Sequence, residues 1–204
     1  MQAVNCTWKG TTPIILHSCR CVNPLHPLTI AMKPLTSKHK KTEDDYRVIS
    51  DIEWLQGAYI GNEDTNRKVT DYLTDNMYLY IPAENIEATL KNAGKAYKLG
   101  EAIKKFVQVP STEIMLNTFE DKLVKEYWKN NRYRHVCTMV VNRSRIPRTR
   151  PRFDRWQIEF DLLFDESKID LQQIITVMEY AGKYVGLCDS RPKYGKFVTI
   201  LKDA

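Results

Sequence analysis

The stretch from Trp156 to Leu162 alternates strictly between apolar and polar residues, and this pattern limits the fold more than any other feature of the chain. Its apolar members would all face one side of an extended strand, and its polar members would face the other side. A strand with one face in the core and one face in solvent is typical of antiparallel sheets. We therefore predict a half-buried antiparallel strand here, with Trp156 in the core.

An amphipathic helix and a further strand follow this segment. Asp170 is a good N-cap residue, and the apolar positions behind it recur at helical spacing. The helix stripe consists of Leu171, Ile174, Ile175, Met178 and Ala181. A glycine-punctuated loop then leads into a last strand, predicted from about Lys196 to Leu201. With a strand predicted at His135–Arg145, the order in this part is β-β-α-β, which is typical of an α+β sandwich.

The first half of the chain contains further candidate elements. Thr42 with Asp45 three residues later resembles a capping box and predicts a helix over Glu43–Leu55. We expect Pro34 to end a short helix that begins at Leu28. The other candidates are a strand at Pro13–Val22, a loop at Gly61–Asp75, a strand at Tyr78–Pro82, a helix at Asn85–Lys98, a short strand at Phe106–Pro110, and an ambiguous segment at Asn117–Trp128. Together they predict one α+β domain over residues 1–204. Its core would be an antiparallel sheet with helices on one face and an inserted helical region around residues 28–75.

Positive charge is concentrated in one part of the chain. The 204 residues carry a formal charge of +6. Between Arg132 and Arg155 there are eight arginines and a single acid, Asp154, so this segment alone carries +7 and the remaining 180 residues sum to −1. A focused excess of this kind indicates a polyanionic partner more strongly than scattered charge does.

The centre of this basic region is an arginine-rich segment stiffened by Pro147 and Pro151, which exclude a helix interior. Its arginines are Arg143, Arg145, Arg148, Arg150, Arg152 and Arg155. Guanidinium groups bind phosphates bidentately and stack on bases, so an extended arm or hairpin of this composition suits a nucleic-acid strand. The alternative is a solvated, charged hairpin that joins two strands. No acid interleaves within Arg143–Arg152 to neutralise it, which favours the nucleic-acid interpretation.

Aromatic residues near the basic segment offer possible stacking surfaces. They are Tyr133, Phe153, Trp156 and Tyr194. Each is more typical of a core residue, and the strand periodicity places Trp156 there. The paired-ring signature of RRM domains is absent from the sequence.

Cysteine and histidine residues cluster near the N-terminus, at His17, Cys19, Cys21 and His26. On a strand, His17, Cys19 and Cys21 would share one face, but their spacing matches no recognised zinc frame. We therefore favour buried thiols over a metal site and expect no metal and no cofactor. Five cysteines without a disulfide-scaffold spacing, no secretory signal and no long apolar run predict a cytoplasmic protein with no membrane partner.

Catalytic motifs of hydrolases, kinases and metalloproteases are missing from the sequence. His135 lies beside Arg132 and Arg134 and could act as a general base on an RNA 2′-hydroxyl. The acids of the predicted helix after Thr42 have no matching carboxylates elsewhere that would suggest a two-metal nuclease. A metal-independent ribonuclease therefore stays open as an alternative, although we expect the protein not to be an enzyme.

Two short stretches resemble elements of the RAMP superfamily. Tyr78–Lys95 is similar to its strand–proline–helix element, and Gly186–Ile200 is similar to its glycine-rich loop and last strand. Ala83 and Glu84 stand where the family usually has Gly-Ser, and Pro192 interrupts the loop. The family has a modified ferredoxin-like core, so the resemblance implies that the antiparallel sheet of this chain is ferredoxin-like (RRM-like). The family includes the RNA-binding backbone subunits of CRISPR effector complexes, which assemble head-to-tail. At this length the chain resembles a compact RAMP-like protein of the sort carried by bacteriophages.

The resemblance implies that residues 193–196 form a loop that approaches a nucleic-acid backbone, with Lys193 and Lys196 supporting the arginines and Tyr194 stacking. It also implies that the arginine-rich segment acts as a hairpin thumb. We therefore expect non-catalytic binding of single-stranded nucleic acid, RNA or DNA, by a homo-oligomer in a bacterial or phage-infected cell. A phage-type regulator that acts through protein–protein contact is the third open interpretation.

Overall fold

The computed structural model describes residues 1–65, 67, 71–141 and 143–202 and has a mixed α+β fold. The predicted loop at Gly61–Asp75 falls partly outside these residues, as does position 142 in the predicted strand His135–Arg145. Two compact units are formed, and each is assembled from separate pieces of the chain. The sheet unit comprises Met1–Ile14, Tyr80–Glu120 and Phe153–Ala204, and the hairpin unit comprises Ile15–Leu79 and Asp121–Arg152. Among the residues described, no helix combines the length and the apolar character needed to cross a bilayer.

The sheet unit is built on a four-stranded sheet with the spatial order β10-β1-β9-β5. Its strands are β1 (Gln2–Gly10), β5 (Val107–Gln108), β9 (Gln157–Phe164) and β10 (Phe197–Lys202), and its helices are α3 (Ala83–Gly94), α4 (Gly100–Phe106) and α6 (Leu171–Tyr180). Neighbouring strands are antiparallel, with Cys6 of β1 opposite Phe160 of β9 and Leu201 of β10. The rings of Trp8 and Phe197 stack at 4.0 Å in the core.

A short second pairing completes the sheet unit. β4 (Tyr78–Pro82) begins in the hairpin unit, and its last three residues pair antiparallel with β6 (Glu113–Met115). The predicted strand at Tyr78–Pro82 is therefore confirmed. α3 starts directly after Pro82, as the strand–proline–helix pattern indicates. The predicted helix Asn85–Lys98 is shorter than expected, because α3 ends at Gly94 and a 3-10 turn follows that closes with Lys98 in the left-handed conformation (φ +60°).

The hairpin unit packs helices beside a long antiparallel hairpin. Its elements are β2 (Ile14–Ile15, which starts in the sheet unit), α1 (Pro27–Ser37), α2 (Glu43–Gly57), β3 (Ile60–Gly61), α5 (Val124–Lys129), β7 (Arg134–Val141) and β8 (Ser144–Phe153, whose last residue is in the sheet unit). Arg134 of β7 lies opposite Pro151 of β8. The indole of the buried Trp54 donates to the Tyr133 carbonyl at 2.8 Å and thereby attaches α2 to the base of the hairpin.

Local sequence signals account for the elements that were predicted correctly. The capping box of α2 is present, since the Asp45 amide donates to Thr42 Oγ1 at 3.2 Å and the Thr42 amide donates back to Asp45. Hydrogen bonds from the Lys38 ammonium and from the Thr42 backbone lower the pKa of Asp45 to about 2. Asp170 caps α6, and the alternating strand predicted at 156–162 is β9, with Trp156 buried just before it.

The predicted strand Pro13–Val22 is wrong beyond Ile15. The chain turns instead into a 3-10 helix at Arg20–Val22. Ser18 Oγ donates to the Gln56 carbonyl at 2.6 Å, and Arg20 donates to the carbonyls of Ala58 and Ile60. Side-chain hydrogen bonds, and not a strand ladder, therefore attach this segment to the carbonyls of residues 56–60. These contacts depend on residues far along the chain.

Two other predictions are corrected by the structure. The helix predicted from Leu28 begins at Pro27 and continues through Pro34 to Ser37, so Pro34 does not end it, although its ring removes one helical N–H donor. The predicted strand His135–Arg145 is two strands, because Arg143 has a positive φ of 66° and the chain reverses there. The arginine-rich segment is accordingly the second strand of the β7–β8 hairpin rather than a connection between strands.

Candidate nucleic-acid interface

The tip of the β7–β8 hairpin presents both cationic and apolar side chains to solvent. Arg143 occupies the turn and Arg145 the start of β8, and both are exposed. Met139 and Val140 are exposed beside them, Val140 by 71%. We call these four residues the hairpin tip. A surface of this composition can contact phosphates through the guanidinium groups and bases through the apolar groups.

Further along β8, Arg148 has an acidic partner that the sequence does not reveal. Its Nη1 lies 2.6 Å from Oε1 of Glu53 in α2. The other carboxylate oxygen of Glu53 accepts the backbone N–H of Thr149 at 2.7 Å. Glu53 is only 8% exposed. No acid lies within Arg143–Arg152, but Glu53 of α2 neutralises the charge of one arginine in this stretch, Arg148.

A cleft of about 270 Å³ lies at this part of the hairpin. It is lined by His17, Ser18, Cys21, Glu53, Gln56, Gly57, Met139, Arg148, Thr149 and Arg150. Arg148 and Arg150 alternate along β8 and so belong to the same face of the strand. The cleft therefore brings together two guanidinium groups, one imidazole and the Glu53 carboxylate that is paired with Arg148, so its lining has a net charge of +1 when His17 is neutral.

The imidazole of His17 in this cleft has a lowered pKa. Burial is the largest cause, and the positive charges of Arg150 and Arg148 add to it. His17 is therefore neutral at pH 7, and an anion bound in the cleft would offset the two cations and raise its pKa. The local charge and the concave shape together suit a phosphate group.

A network of ion pairs lies close in sequence to His17, one of the residues that line the cleft. Arg20 Nε and His26 Nε2 lie 2.9 and 2.6 Å from the two carboxylate oxygens of Glu63. His26 also caps α1, because its Nδ1 accepts the N–H of Leu28 at 3.3 Å. Nε2 must therefore carry the proton and donate to Glu63. This network holds the segment that bears His17 against the chain after α2.

The N-terminal cluster proposed from spacing is dispersed by this arrangement. His17 lines the cleft with Cys21, whereas His26 is buried in the network with Glu63. Cys19 and Cys21 are exposed rather than buried on a strand, so that prediction is wrong. Within residues 1–65, 67, 71–141 and 143–202, no three His, Cys, Asp or Glu side chains are grouped so that they could hold a metal ion.

The remaining arginines of the basic region have different surroundings. Arg134, which contributes to the local charge but was not a predicted site residue, is held by Asp51 at 2.7 Å and by the Trp128 carbonyl at 2.6 Å, so it is part of the internal framework of the hairpin unit. Arg152 is half-buried at the end of β8. Arg155 belongs to the sheet unit, where it is exposed and lies 5.1 Å from the ring centroid of Phe119.

The glycine-rich loop of the sheet unit is closed by backbone contacts. The Leu187 amide donates to the Gly195 carbonyl at 2.8 Å, and the Gly195 amide donates to the Pro13 carbonyl at 2.8 Å. Gly195 has a φ of +73°, and a Cβ there would lie 2.0 Å from the Leu187 oxygen. Only glycine fits this position without a shift of the loop.

The loop carries basic side chains on its outer surface. Lys193 is exposed with its Nζ 5.4 Å from the ring centroid of Tyr194, which is half-buried, as is Lys196. Arg191 is exposed in the same loop and was not among the predicted residues, although it lies inside the motif. The thiol of Cys188 has its pKa raised to about 12 by burial and is therefore un-ionised.

The predicted site residues are thus divided between the two units. Arg143, Arg145, Arg148, Arg150 and Arg152 belong to the hairpin unit, and Arg155, Lys193, Tyr194 and Lys196 belong to the sheet unit. Sequence reasoning missed Glu53 and the role of His17, and no local pattern links either of them to β8. Of the suggested stacking residues, Tyr133, Phe153 and Trp156 are buried.

Comparison with known proteins adds no assignment: no protein-family model matches the chain, and no curated protein matches it either.

Proposed function

We propose that this α+β protein binds single-stranded nucleic acid without catalysis, through the β7–β8 hairpin. The observation that carries the proposal is the joint presence, on one hairpin, of exposed arginines at the tip and of a cationic cleft at Arg148 and Arg150. Arg148 and Arg150 are two positions apart on β8 and so about 6.6 Å apart on one face, while Arg145 of the tip lies on the other face. Arg150 is only 8% exposed, so the exposed arginines of the tip supply the first phosphate contacts. RNA is the favoured strand because of the family resemblance.

The order of the elements supports a ferredoxin-like sheet in the sheet unit. In chain order, the first strand of this sheet is β1, the second is β5, the third is β9 and the fourth is β10. Side by side in the sheet, they lie in the order fourth, first, third, second. Helices α3 and α4 connect the first pair, and α6 connects the last pair. The hairpin unit would then be two insertions in such a core, which agrees with a RAMP-like protein that carries its thumb on an insertion.

The same resemblance carries the assembly and the location that we propose. RAMP backbone subunits assemble head-to-tail along RNA, so we infer a homo-oligomer that coats the strand in the cytoplasm. Light scattering after size-exclusion chromatography, with and without single-stranded RNA and DNA, tests this part. A species whose mass does not grow with the length of the added strand would contradict the coating.

A salt titration tests the proposed binding. Labelled oligonucleotide affinity should fall steeply with salt, and the Arg143→Ala/Arg145→Ala double variant should flatten the slope by about 1.4, since each lost phosphate contact on a single strand contributes about 0.7. The Lys33→Ala/Lys40→Ala variant removes the same charge from exposed positions of the same unit and serves as the matched control. Equal slopes for the two double variants would overturn the role of the hairpin tip.

One observation favours a second candidate function, a metal-independent ribonuclease. His17 is neutral beside two guanidinium groups, and His135 lies opposite Arg150 in the strand register. A neutral imidazole can accept the proton of a 2′-hydroxyl, and the guanidinium groups would stabilise the charged transition state. Incubation of RNA with the protein in chelator decides between the two, because intact RNA with binding retained removes the enzyme.

The third hypothesis, a regulator that binds another protein, is tested by a different measurement. Apolar side chains at the tip, among them Val140, would also suit a protein surface. Copurified nucleic acid, seen as a high ratio of absorbance at the two standard ultraviolet wavelengths, supports the nucleic-acid proposal. A protein purified without nucleic acid that binds no oligonucleotide would favour a protein partner.

A further inference from the structure

Three tyrosines, of which two are exposed and one is half-buried, form an aromatic cluster on the helices of the sheet unit. The rings of Tyr97 and Tyr180 meet edge-to-face with centroids 5.5 Å apart, and the rings of Tyr180 and Tyr184 are 4.8 Å apart. Tyr97 is 44% exposed and Tyr184 is 53% exposed. We call these three residues the tyrosine cluster. Contiguous exposed apolar surface is typical of interaction sites.

The cluster lies in a second basic part of the chain. Five lysines and one acid occur between Lys91 and Lys105, a local charge of +4 that the near-neutral sum outside the arginine-rich region conceals. Lys95 and Lys98 flank Tyr97 in sequence and are exposed. The ammonium of Lys183 lies 5.2 Å from the ring centroid of Tyr184. The nearest acid on α6, Glu179, does not balance these three lysines.

An unusual turn places Tyr184 in the cluster. α6 passes directly into a π-helical turn at Ala181–Val185. Gly182 in this turn lies so close to β10 that a Cβ would be 2.1 Å from the Phe197 carbonyl oxygen, so the turn is held tightly to the sheet. π-Helical turns are rare, and they occur frequently at functional sites.

We propose that the tyrosine cluster is a base-stacking platform for single-stranded nucleic acid, distinct from the β7–β8 hairpin. Exposed rings next to flexible cations match the way in which sequence-tolerant binders combine stacking with phosphate contacts. The inference rests on the proposed nucleic-acid function but assigns a separate surface with a different chemistry. The hairpin contributes mainly charge, whereas the platform contributes contact with the faces of the bases.

The test uses two probes that carry the same phosphates: a labelled oligothymidylate and an abasic oligomer of equal length. The Tyr97→Ala/Tyr184→Ala variant should bind the oligothymidylate on the order of tenfold or more weakly, while its affinity for the abasic oligomer stays at the wild-type value. The Tyr97→Phe/Tyr184→Phe variant keeps the rings and should bind both probes like the wild type. Circular dichroism melts check that the variants remain folded, and Tyr180 is left unchanged because it packs between the other two rings.

The outcomes separate this inference from the proposed function. The Arg143→Ala/Arg145→Ala variant should weaken both probes to the same extent. If the tyrosine variant loses no affinity for oligothymidylate while the arginine variant does, the platform is overturned, the proposed function stands, and a protein becomes the ligand to seek for the cluster. If the wild type binds neither probe, both proposals fail.

Discussion

Glu53 stabilises the hairpin unit and also neutralises Arg148, which is part of its charged surface. Replacing Glu53 should therefore lower the free energy of unfolding and strengthen the electrostatic part of nucleic-acid binding. In the native protein its carboxylate receives the Arg148 guanidinium at 2.6 Å and the Thr149 amide at 2.7 Å. Glu53→Ala leaves the amide of the buried Thr149 unpaired, which costs about 1–3 kcal/mol. Arg148 is about one-third exposed (36%), so water replaces much of its lost partner and adds at most about 1 kcal/mol.

The expected loss for Glu53→Ala is therefore about 1–4 kcal/mol of unfolding free energy. Glu53→Gln keeps one acceptor oxygen and should lose about half of that amount. Urea unfolding followed by circular dichroism measures both. Glu159→Gln is the matched control, because the ion pair of Glu159 with Lys202 is exposed on both sides and should cost less than about 1 kcal/mol. A Glu53→Ala variant as stable as this control would refute the reasoning.

Nucleic-acid binding should become stronger at low salt when Glu53 is replaced, although the protein becomes less stable. Glu53→Gln releases the charge of Arg148, so one further phosphate can be neutralised and the logarithmic salt slope should steepen by about 0.7. Fluorescence anisotropy with a labelled oligonucleotide at several salt concentrations measures this slope. A flatter slope with weaker binding would show that Arg148 acts only while Glu53 holds it in place.

Other perturbations test the cleft, the helix cap and the glycine-rich loop. Arg150→Gln removes a cation that lowers the pKa of His17, so the midpoint of the His17 resonance in an NMR titration should rise; an unchanged midpoint would show that the guanidinium does not face the ring. The pKa of Asp45 is lowered to about 2 from an ordinary 3.8, so its contribution to stability is present above the ordinary value and is lost as the pH falls through 2. Asp45→Asn should therefore flatten the pH dependence of thermal melting between about pH 4 and pH 2, whereas a curve parallel to that of the wild type would contradict the cap. Gly195→Ala forces a Cβ to within 2.0 Å of the Leu187 oxygen at a positive φ, and we expect a urea-unfolding loss of about 2 kcal/mol or more; a loss below roughly 0.5 kcal/mol would mean that the loop adjusts freely.

Elements with a strong local pattern were predictable from the sequence. The capping box at Thr42, the alternation that became β9, and the cap at Asp170 each depend on residues within a few positions of one another. Hydrogen bonds and periodicity over such distances are properties of the chain itself. The concentration of arginine was equally visible, because charge adds up along the chain without any knowledge of the fold.

Side-chain contacts between distant segments could not be predicted in this way. The segment predicted as a strand contains a 3-10 helix at Arg20–Val22, where the Arg20 guanidinium donates to the carbonyls of Ala58 and Ile60. Glu53 and Arg148 meet across 95 positions of sequence. Neither contact has a periodic signature, since each arises only when helices and strands have packed.

Composition and local pattern were enough to establish an α+β chain with a basic, proline-stiffened segment. Only tertiary packing decided which of its arginines are exposed, which are paired, and which line a cleft. Arg143 and Arg145 are exposed at the hairpin tip, Arg148 is paired with Glu53, and Arg150 lies in a cleft with His17. The physical reason is that the residue type determines whether a side chain is charged. The solvation of that charge and its ion-pair partners depend on which surfaces folding brings together.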